Sequence, residues 1–557
     1  MQNVDAQQSG EADDVPSLEG ASFSRTTLSR ALNDLLISGG DSRLELDPAT
    51  LSNVYGCQPF PRSDALAFSS STATSISERA YRRVQCAHEA LIEDSRTQGW
   101  PEAFDRQVEG LRRALETCFE LDGSAIVLSP SGTDSQLHTL FLARQILGGP
   151  VTTVIVGADQ TGSGTAFTCR GQHFSARTAL GTAVAKGAPI EELAGDSIAI
   201  ALLTPEGTVR TADEVDGAVI GAVAGQVGAG RKVVLHAMES SKLGLRAPSD
   251  ECLKGIARTW PGAVQIMIDA CQMRISRPRI RQYLAQGYIV LVTGSKFFTG
   301  PPFCGASLVP ASLAARLAAM KPAAGGLAGY ATRWDFPAAW RGIRSGFAAP
   351  ANIGQWLRWT AALEEMRAYY AVPPDFRRSL LVRLEETIGR VRASSAILEP
   401  FVLPPQPRAD AALDEELTVR TVFPFLVKHQ EGHLGYDDAV LVYRALNRDL
   451  SGALPGHETP DTLQIAAALC HIGQPVKLPA GQDGPKAVLR LCVGARTVSE
   501  AWSSEPGEAE RNIAAIAGQL STIAAKLEII MRHFDAVRRV LEQPVTATPP
   551  GLLRRTA

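Results

Sequence analysis

A lysine and an aspartate each follow an apolar run that is predicted to be a strand. Lys296 comes shortly after the run 289–292, and Asp269 comes directly after the run 265–268. A lysine seldom enters the protein interior without a partner, and a desolvated carboxylate needs a cation or a hydrogen-bond donor. Lys296 could therefore be a surface residue, a phosphate ligand or a covalent catalyst. Asp269 could be a helix cap, a structural ion pair or a functional carboxylate.

A third stretch, Ser131, Gly132 and Thr133, lies at a predicted helix start after the run 125–128. A glycine-containing turn at this position presents free backbone N–H groups and the positive end of a helix, which suits a phosphate. The alternative is an ordinary Ser/Thr cap. A nucleotide P-loop is excluded, because no Gly-x-x-x-x-Gly-Lys motif precedes Lys296 and no lysine follows Thr133.

The elements that must position these residues alternate along the chain. Helices are predicted at 78–93 and from Pro101 onward, and then short apolar runs are separated by helical or turn segments. The runs are 125–128, 151–156, 198–203, 232–235, 265–268 and 289–292. This alternation predicts an α/β domain with a mainly parallel sheet covered on both faces. Since functional residues gather beyond the carboxyl ends of such strands, the three stretches are expected to converge.

The predicted organisation has four parts. They are a disordered tail (1–22), an N-terminal segment (23–95), a large domain (96–375) and a smaller α+β C-terminal domain (376–557). The smaller domain contains strand-like runs at 418–428 and 487–494 and a long final helix from about Glu508 to Leu541. The run SSSTATSIS at 69–77 is predicted to be a solvated turn. The alternative is a segment that crosses the active site of its own or a partner subunit and supplies substrate contacts.

A phosphate-binding turn, a desolvated acid and a lysine together are what pyridoxal 5'-phosphate (PLP) requires. The lysine forms a Schiff base with the cofactor aldehyde. The acid pairs with the pyridine nitrogen and keeps it protonated, so that the ring accepts electrons. The interval between Asp269 and Lys296 leaves room for one helix between two neighbouring strands. The sequence therefore predicts a PLP enzyme in which these two residues are catalytic.

The chain resembles the fold-type I PLP enzymes, and within them the class V aminotransferase superfamily, over about residues 100–500. That superfamily includes serine/alanine–glyoxylate aminotransferases, cysteine desulfurases and kynureninases. The stretch IDACQ is similar to the family's strand-end Asp-Ala-x-Gln. The resemblance implies that Asp269 pairs with the pyridine nitrogen and that Gln272 lies near the phenolic oxygen.

The stretch TGSKFFTGPPFCG resembles the family's Ser-x-His-Lys followed by Gly-Pro and a further glycine. It implies that Lys296 is the Schiff-base lysine and that Thr293 and Ser295 contact the phosphate, with Ser295 where histidine is common. The match also assigns Ser131, Gly132 and Thr133 to the phosphate cup.

Two weaker resemblances add residues. LHAMESSKLG is similar to a stretch that lies beside the cofactor in the glyoxylate aminotransferase branch. This similarity implies that Glu239, Ser240 and Ser241 lie beside the cofactor here. VLRLCVG is similar to the family's C-terminal Arg-x-Ser strand, which implies that Arg490 binds the substrate carboxylate with a bidentate fork. The alternative is that Arg490 is a plain strand residue, since Cys492 stands where serine is common.

The family's ring-stacking histidine or aromatic residue has no clear counterpart. Gln160 is the nearest positional match, and His173 is the nearest imidazole. The sequence leaves both open as cofactor contacts, and an ordinary loop histidine is the alternative for His173.

Composition limits the remaining classes of function. A formal net charge of −3 disfavours nucleic acid as a partner. Nine cysteines without a CxxC pair favour reduced thiols over disulfides or a metal site. The polar, acidic N-terminus has no signal-peptide pattern, and no apolar stretch reaches the length of a membrane span. A cytoplasmic protein is the expectation.

The expected function is an aminotransferase acting on an amino acid or related primary amine. A β/γ-lyase or synthase and a non-catalytic relative are the alternatives. Cys304 is not expected to accept sulfur, because it follows Lys296 closely in a Gly/Pro turn. The resemblance implies a homodimer, because the family builds its active site at a subunit interface.

Overall fold

The computed structural model describes residues 30–347, 350–404, 417–479 and 486–542. The predicted disordered tail lies outside these residues. In the described ranges the strands are β1 (Ala65–Phe68), β2 (Ala125–Ser129), β3 (Val151–Val156), β4 (Asp196–Ile200), β5 (Lys232–Met238), β6 (Val264–Asp269), β7 (Ile289–Thr293), β8 (Gly305–Val309), β9 (Leu398–Pro400), β10 (Val422–His429), β11 (Gly432–His433), β12 (Leu469–Lys477) and β13 (Ala487–Cys492).

The helices of the described ranges connect and flank these strands. They are α1 (Leu32–Leu36), α2 (Glu78–Gln98), α3 (Trp100–Phe119), α4 (Gly132–Leu147), α5 (Thr165–Thr168), α6 (Ala212–Gly228), α7 (Asp250–Thr259), α8 (Arg277–Ala285), α9 (Ala311–Ala318), α10 (Arg341–Arg344), α11 (Ile353–Tyr370), α12 (Pro374–Ala393), α13 (Tyr436–Leu446), α14 (Pro460–Ala467), α15 (Ala495–Ala501), α16 (Pro506–Arg532) and α17 (Phe534–Glu542). Short 3₁₀ turns cover Ser42–Leu44, Gly325–Gly329, Arg333–Asp335 and Ser451–Ala453.

The large sheet has seven strands in the order β2-β8-β7-β6-β5-β3-β4. All pairs that do not involve β8 are parallel, and β8 is antiparallel to both β2 and β7. The mainly parallel sheet predicted from the apolar runs is confirmed. Strand β8 was not predicted, because GASLV consists largely of small residues after a Gly/Pro turn.

Alternating strand residues face two separate helical layers. In β6, Ile266 and Ile268 pack into the apolar cluster that contains α6, α7 and α8, whereas Met267 packs into the cluster that contains α4. Strands buried on both faces read as continuous apolar runs, which is why the sequence showed them so clearly. The predicted three-layer α/β class is confirmed.

The second sheet has the order β1-β12-β13-β10-β11, with β9 paired to β10. Strand β1, from the N-terminal segment, runs parallel to β12, while the other pairs are antiparallel. This sheet and its helices form the smaller α+β unit that the sequence predicted. The pairing of β1 brings the segment that follows it, 69–77, toward the large domain.

The long final helix is interrupted at His533, between α16 and α17. By length and composition alone, α16 could cross a membrane. The prediction that no apolar stretch reaches the length of a membrane span therefore does not hold for this helix. Its side chains Ile513, Leu520, Leu527 and Ile530 are buried in the core of the chain. The packing explains its apolar face as that of a core helix.

Candidate active site

A cavity of about 410 Å³ lies beyond the carboxyl ends of the parallel strands. Its size falls in the range of small-molecule sites. Most of the predicted residues line it, namely Ser131, Gly132, Thr133, Gln160, Ser240, Asp269, Gln272, Thr293, Ser295, Lys296 and Arg490. Three stretches far apart in the chain are therefore brought together, as the topology predicts.

The turn before α4 forms a cup at one end of the cavity. Ser131 caps the helix, accepting a bond from the Asp134 N–H (3.2 Å) and donating to the Asp134 carboxylate (2.5 Å). Gly132 is required here, because a Cβ atom would lie 2.8 Å from Cys271 Sγ. Burial and the charge of Asp41 raise the pKa of Asp134 to about 7, so the carboxyl group is protonated in about half of the molecules near neutral pH.

Asp269 ends β6 and is buried beside His236 of β5, with 3.3 Å between Asp269 Oδ2 and His236 Nε2. Its Oδ1 accepts the Cys271 N–H at 3.0 Å. Burial alone would raise the pKa of Asp269, but His236 and the Cys271 N–H outweigh it and hold the pKa below its ordinary value. The carboxylate is thus kept ionised and can hold a proton on a ligand base.

Lys296 lies just beyond β7, where its Nζ donates to the Thr72 carbonyl oxygen. Burial, followed by the charges of Arg43 and Arg490, lowers the pKa of Lys296 to about 8. A lysine with such a pKa has a substantial neutral fraction near pH 8, as a nucleophilic amine requires.

The segment 69–77 crosses the cavity, and the prediction of a solvated turn is wrong, because every residue in it is buried. Thr72 connects several groups at once. Its carbonyl binds Lys296, and its Oγ1 accepts bonds from the Gln474 N–H (2.9 Å) and from Arg490 Nη2 (3.2 Å). The serine-rich composition suggested solvent, but most hydroxyls of the segment, such as those of Ser69, Ser70 and Thr72, are hydrogen-bonded inside the protein, and Thr74 is an exception.

Arg490 is buried on β13 and lines the cavity. Its Nε and Nη2 donate to the Gln474 carbonyl, at 3.1 and 2.7 Å, and its Nη1 donates to the Lys242 carbonyl at 3.0 Å. Most of its N–H groups are thus already committed to the protein. The bidentate role stays a prediction that needs Arg490 to exchange some of these bonds.

Lys242 also lines the cavity, although it was not predicted to be a site residue. Burial and then the charge of Arg490 lower the pKa of Lys242 to about 8. Lys242 lies in the stretch LHAMESSKLG, which suggested cofactor contacts, but a single lysine in a predicted loop does not by itself indicate a site residue. Lys242 and Arg490 are neighbours, and together they make their part of the cavity wall cationic, which suits an anionic substrate group.

Gln272 is bound on both sides of its amide. Its Nε2 donates to the Ser71 carbonyl at 3.1 Å, and its Oε1 accepts from Arg274 at 3.0 Å. Thr293 donates to the Cys271 carbonyl at 2.6 Å. Both residues therefore line the cavity as parts of a fixed wall.

Gln160 lies at the end of the loop after β3 and is 1% exposed. Neither its amide oxygen nor its amide nitrogen has a hydrogen-bond partner among the described residues. Since buried amides are seldom left unpaired, this side chain indicates a missing polar ligand at the cavity.

His173, the other candidate for that position, is not among the residues that line the cavity. Its Nδ1 lies 2.7 Å from the Tyr330 hydroxyl, and the two rings stack. The structure thus places the loop histidine in a structural pair with Tyr330.

Glu239 is also turned away from the cavity. It accepts a bond from Tyr283 (2.5 Å) and pairs with Arg246 (3.2 Å), which in turn contacts Asp250. Of the stretch LHAMESSKLG, Ser240 lines the cavity, while the Ser241 hydroxyl accepts backbone N–H bonds of its own turn.

All nine cysteines are free thiols. Cys304 is buried, and burial raises its pKa to about 12. A thiol that is both inaccessible and protonated does not suit a sulfur acceptor.

The chain is similar in fold to solved structures of several enzymes. A C-DES mutant with glycine covalently linked to its PLP cofactor is 12% identical, with 82% of this chain and 97% of that chain covered and a TM-score of 0.47. The cysteine desulfurase CsdA from Escherichia coli is 14% identical, with 82% and 95% covered and a TM-score of 0.45. A putative histidinol-phosphate aminotransferase from Erwinia carotovora atroseptica is 12% identical, with 80% and 93% covered and a TM-score of 0.38.

No family model matches the chain, and no curated protein matches it. The architecture is the one that the resemblance to fold-type I PLP enzymes predicted. The similarities to the solved structures are too low to transfer the activity of any one of them to this chain.

The residues of the cavity fit PLP. The Ser131–Gly132–Thr133 cup offers a helix N-terminus for a phosphate, Asp269 offers an ionised carboxylate, and Lys296 offers an amine of lowered pKa. The unpaired amide of Gln160 lies in the same wall.

Proposed function

We propose that this protein is a PLP-dependent enzyme that acts on an amino acid or a related primary amine, and that its reaction is transamination. The observation that carries the proposal is the convergence of Lys296, Asp269 and the α4 cup on one cavity. The stretch around Ser240 supports transamination through its likeness to the glyoxylate aminotransferase branch.

Several side chains would hold the cofactor. The cup would bind its phosphate, Asp269 would face its pyridine nitrogen, and Lys296 Nζ would be its point of covalent attachment. When bound, PLP draws electrons away from the carbon that carries the substrate amine and so weakens the bonds of that carbon.

Residues of the chain would transfer the proton, hold the ring-nitrogen proton and bind the substrate carboxylate. Lys296 Nζ, with its lowered pKa, can take the proton from the substrate Cα and return it to another carbon. Asp269, kept ionised by His236, holds the proton at the ring nitrogen. Lys242 and Arg490, which line the cavity beside each other, would attract the substrate carboxylate.

The reaction type is tested with the PLP-loaded protein and a panel of amino acids. Transamination predicts that an α-keto acid forms while the cofactor converts to pyridoxamine phosphate, and that adding a keto acid restores the original spectrum. Release of ammonia or a thiol without that cycle would contradict transamination and support a lyase.

Thr72 is expected to matter for substrate affinity. Thr72→Val keeps the shape and the carbonyl that binds Lys296 but removes the acceptor for Arg490 and for the Gln474 N–H. We expect the KM for the amino acid to rise about 10-fold, because a misplaced guanidinium loses a charged hydrogen bond. Steady-state kinetics measure this.

Thr74→Val is the matched control for this change. Thr74 lies in the same buried segment, but its hydroxyl has no partner among the described residues and it is absent from the cavity wall. The KM of Thr74→Val should stay near the wild-type value, and so should the KM of Thr72→Ser, which keeps the hydroxyl. Equal effects of the two valine substitutions would argue against a positioning role for Thr72.

We also propose a homodimer in the cytoplasm. The dimer follows from the resemblance, and the location follows from the reduced state expected of nine scattered cysteines. Sedimentation velocity of the PLP-loaded protein tests the dimer.

A further inference from the structure

The phosphate cup lacks the histidine that the family commonly places next to the lysine, since Ser295 stands there. A phosphate bound in a buried cup carries a charge that the helix dipole alone compensates only in part. Four cationic side chains line the cavity, namely Arg43, Lys242, Lys296 and Arg490. Within the part of the chain that the structure describes, Arg43 is the one of these four whose side chain contacts residues of the cup, so it is the cation best placed for a phosphate.

Arg43 belongs to the 3₁₀ turn Ser42–Leu44 in the N-terminal segment, outside the region that resembles the family. Its guanidinium reaches the cup from across the cavity. Nη2 lies 3.4 Å from Ser131 Oγ, and Nη1 lies 3.5 Å from Thr133 Oγ1. These distances are long for hydrogen bonds, so the same N–H groups can exchange these weak contacts for stronger ones to an anion in the cup.

The guanidinium is held in a fixed direction. Asp41 binds it on one edge, through Nε to Oδ1 (2.9 Å) and Nη2 to Oδ2 (2.6 Å). The Phe303 ring lies under it, with 4.7 Å between Arg43 Cζ and the ring centroid. With Nε and one N–H of Nη2 bound to Asp41, Nη1 and the second N–H of Nη2 form the edge that faces the cup.

We propose that Arg43 binds the cofactor phosphate and that Asp41 orients it for this task. The inference rests on the proposed PLP function and adds a ligand from the N-terminal segment to the cup. Arg43 would supply the positive charge that the family's common histidine, replaced here by Ser295, does not provide.

Binding of PLP and of pyridoxal, which lacks the phosphate, to the apoprotein tests the proposal. Arg43→Gln is expected to weaken PLP binding about 10- to 100-fold, as loss of a charged hydrogen bond would. Pyridoxal binding should change less than about 3-fold. Inorganic phosphate should compete with PLP in the wild-type apoprotein and far less in Arg43→Gln.

The variant leaves Asp41 buried without its cation, which could unfold the segment. The double variant Asp41→Asn/Arg43→Gln removes both charges and should show the same selective loss. Arg82→Gln, on the exposed face of α2, is the control of the same residue type and should bind both ligands as the wild type does.

The outcomes are distinct. Equal weakening of PLP and pyridoxal, or no weakening of PLP in either variant, would overturn the role of Arg43 while leaving the PLP function intact. Failure of the wild-type protein to bind PLP would overturn the proposed function, and with it this inference.

Discussion

Lys296→Ala is expected to lower kcat/KM by at least about 10³-fold. The change removes both the amine that attaches the cofactor and the base that moves the substrate proton, and a positioned acid–base group alone is worth about 10²–10⁴-fold. Lys296 follows the end of β7, lines the cavity and has a pKa lowered to about 8. Turnover of the best amino acid with saturating PLP measures the effect.

Lys242→Ala is the matched control, because Lys242 lines the same cavity and its pKa is also lowered to about 8. A lowered pKa is therefore not what distinguishes the two lysines. We expect Lys242→Ala to raise KM with a smaller effect on kcat. A larger loss of kcat in Lys242→Ala than in Lys296→Ala would reverse the assignment.

Asp269→Asn is the second change with a large expected effect. An amide cannot hold a positive charge at the ring nitrogen, so kcat should fall about 10²–10³-fold, as for loss of other preorganised electrostatic contacts. Binding of PLP should weaken less than about 10-fold, because the lysine and the cup remain. Kinetics and cofactor titration of one variant separate the two effects.

Asp250→Asn controls for the loss of a buried carboxylate. Asp250 is equally buried and pairs with Arg279 at 2.6 Å, but it lies outside the main cavity. Both variants should lower the thermal midpoint, since each removes the negative charge beside a buried basic side chain, His236 or Arg279. Only Asp269→Asn should lower kcat. A comparable loss of kcat in Asp250→Asn would mean that the effect comes from destabilisation.

The parallel strands and their polar ends could be predicted because the signal is local. A strand buried on both faces is a continuous apolar run, and the first polar residue after it lies at the active edge of the sheet. Asp269, Lys296 and the residues 131–133 were all found in this way. Resemblance then extended the prediction to Gln272, Thr293 and Ser295, all of which line the cavity.

The residues that were missed depend on long-range pairing. Thr72 reaches Lys296 because β1 pairs with β12. No local sequence pattern indicates that two strands separated by some 400 residues form a parallel pair. Arg43 reaches the cup through a three-residue turn held by Asp41. His173 and Glu239 show the converse, since suitable residue types near the motifs are used for structural contacts with Tyr330 and Tyr283.

Identifying the lysine that carries PLP tests the central claim most directly. The PLP-loaded wild-type protein is reduced with borohydride, digested and mapped by mass spectrometry. The assignment predicts a pyridoxyl-phosphate group on the peptide that contains Lys296 and its absence from Lys296→Ala. A label on Lys242 or another lysine of the native protein, or no label at all, would contradict it.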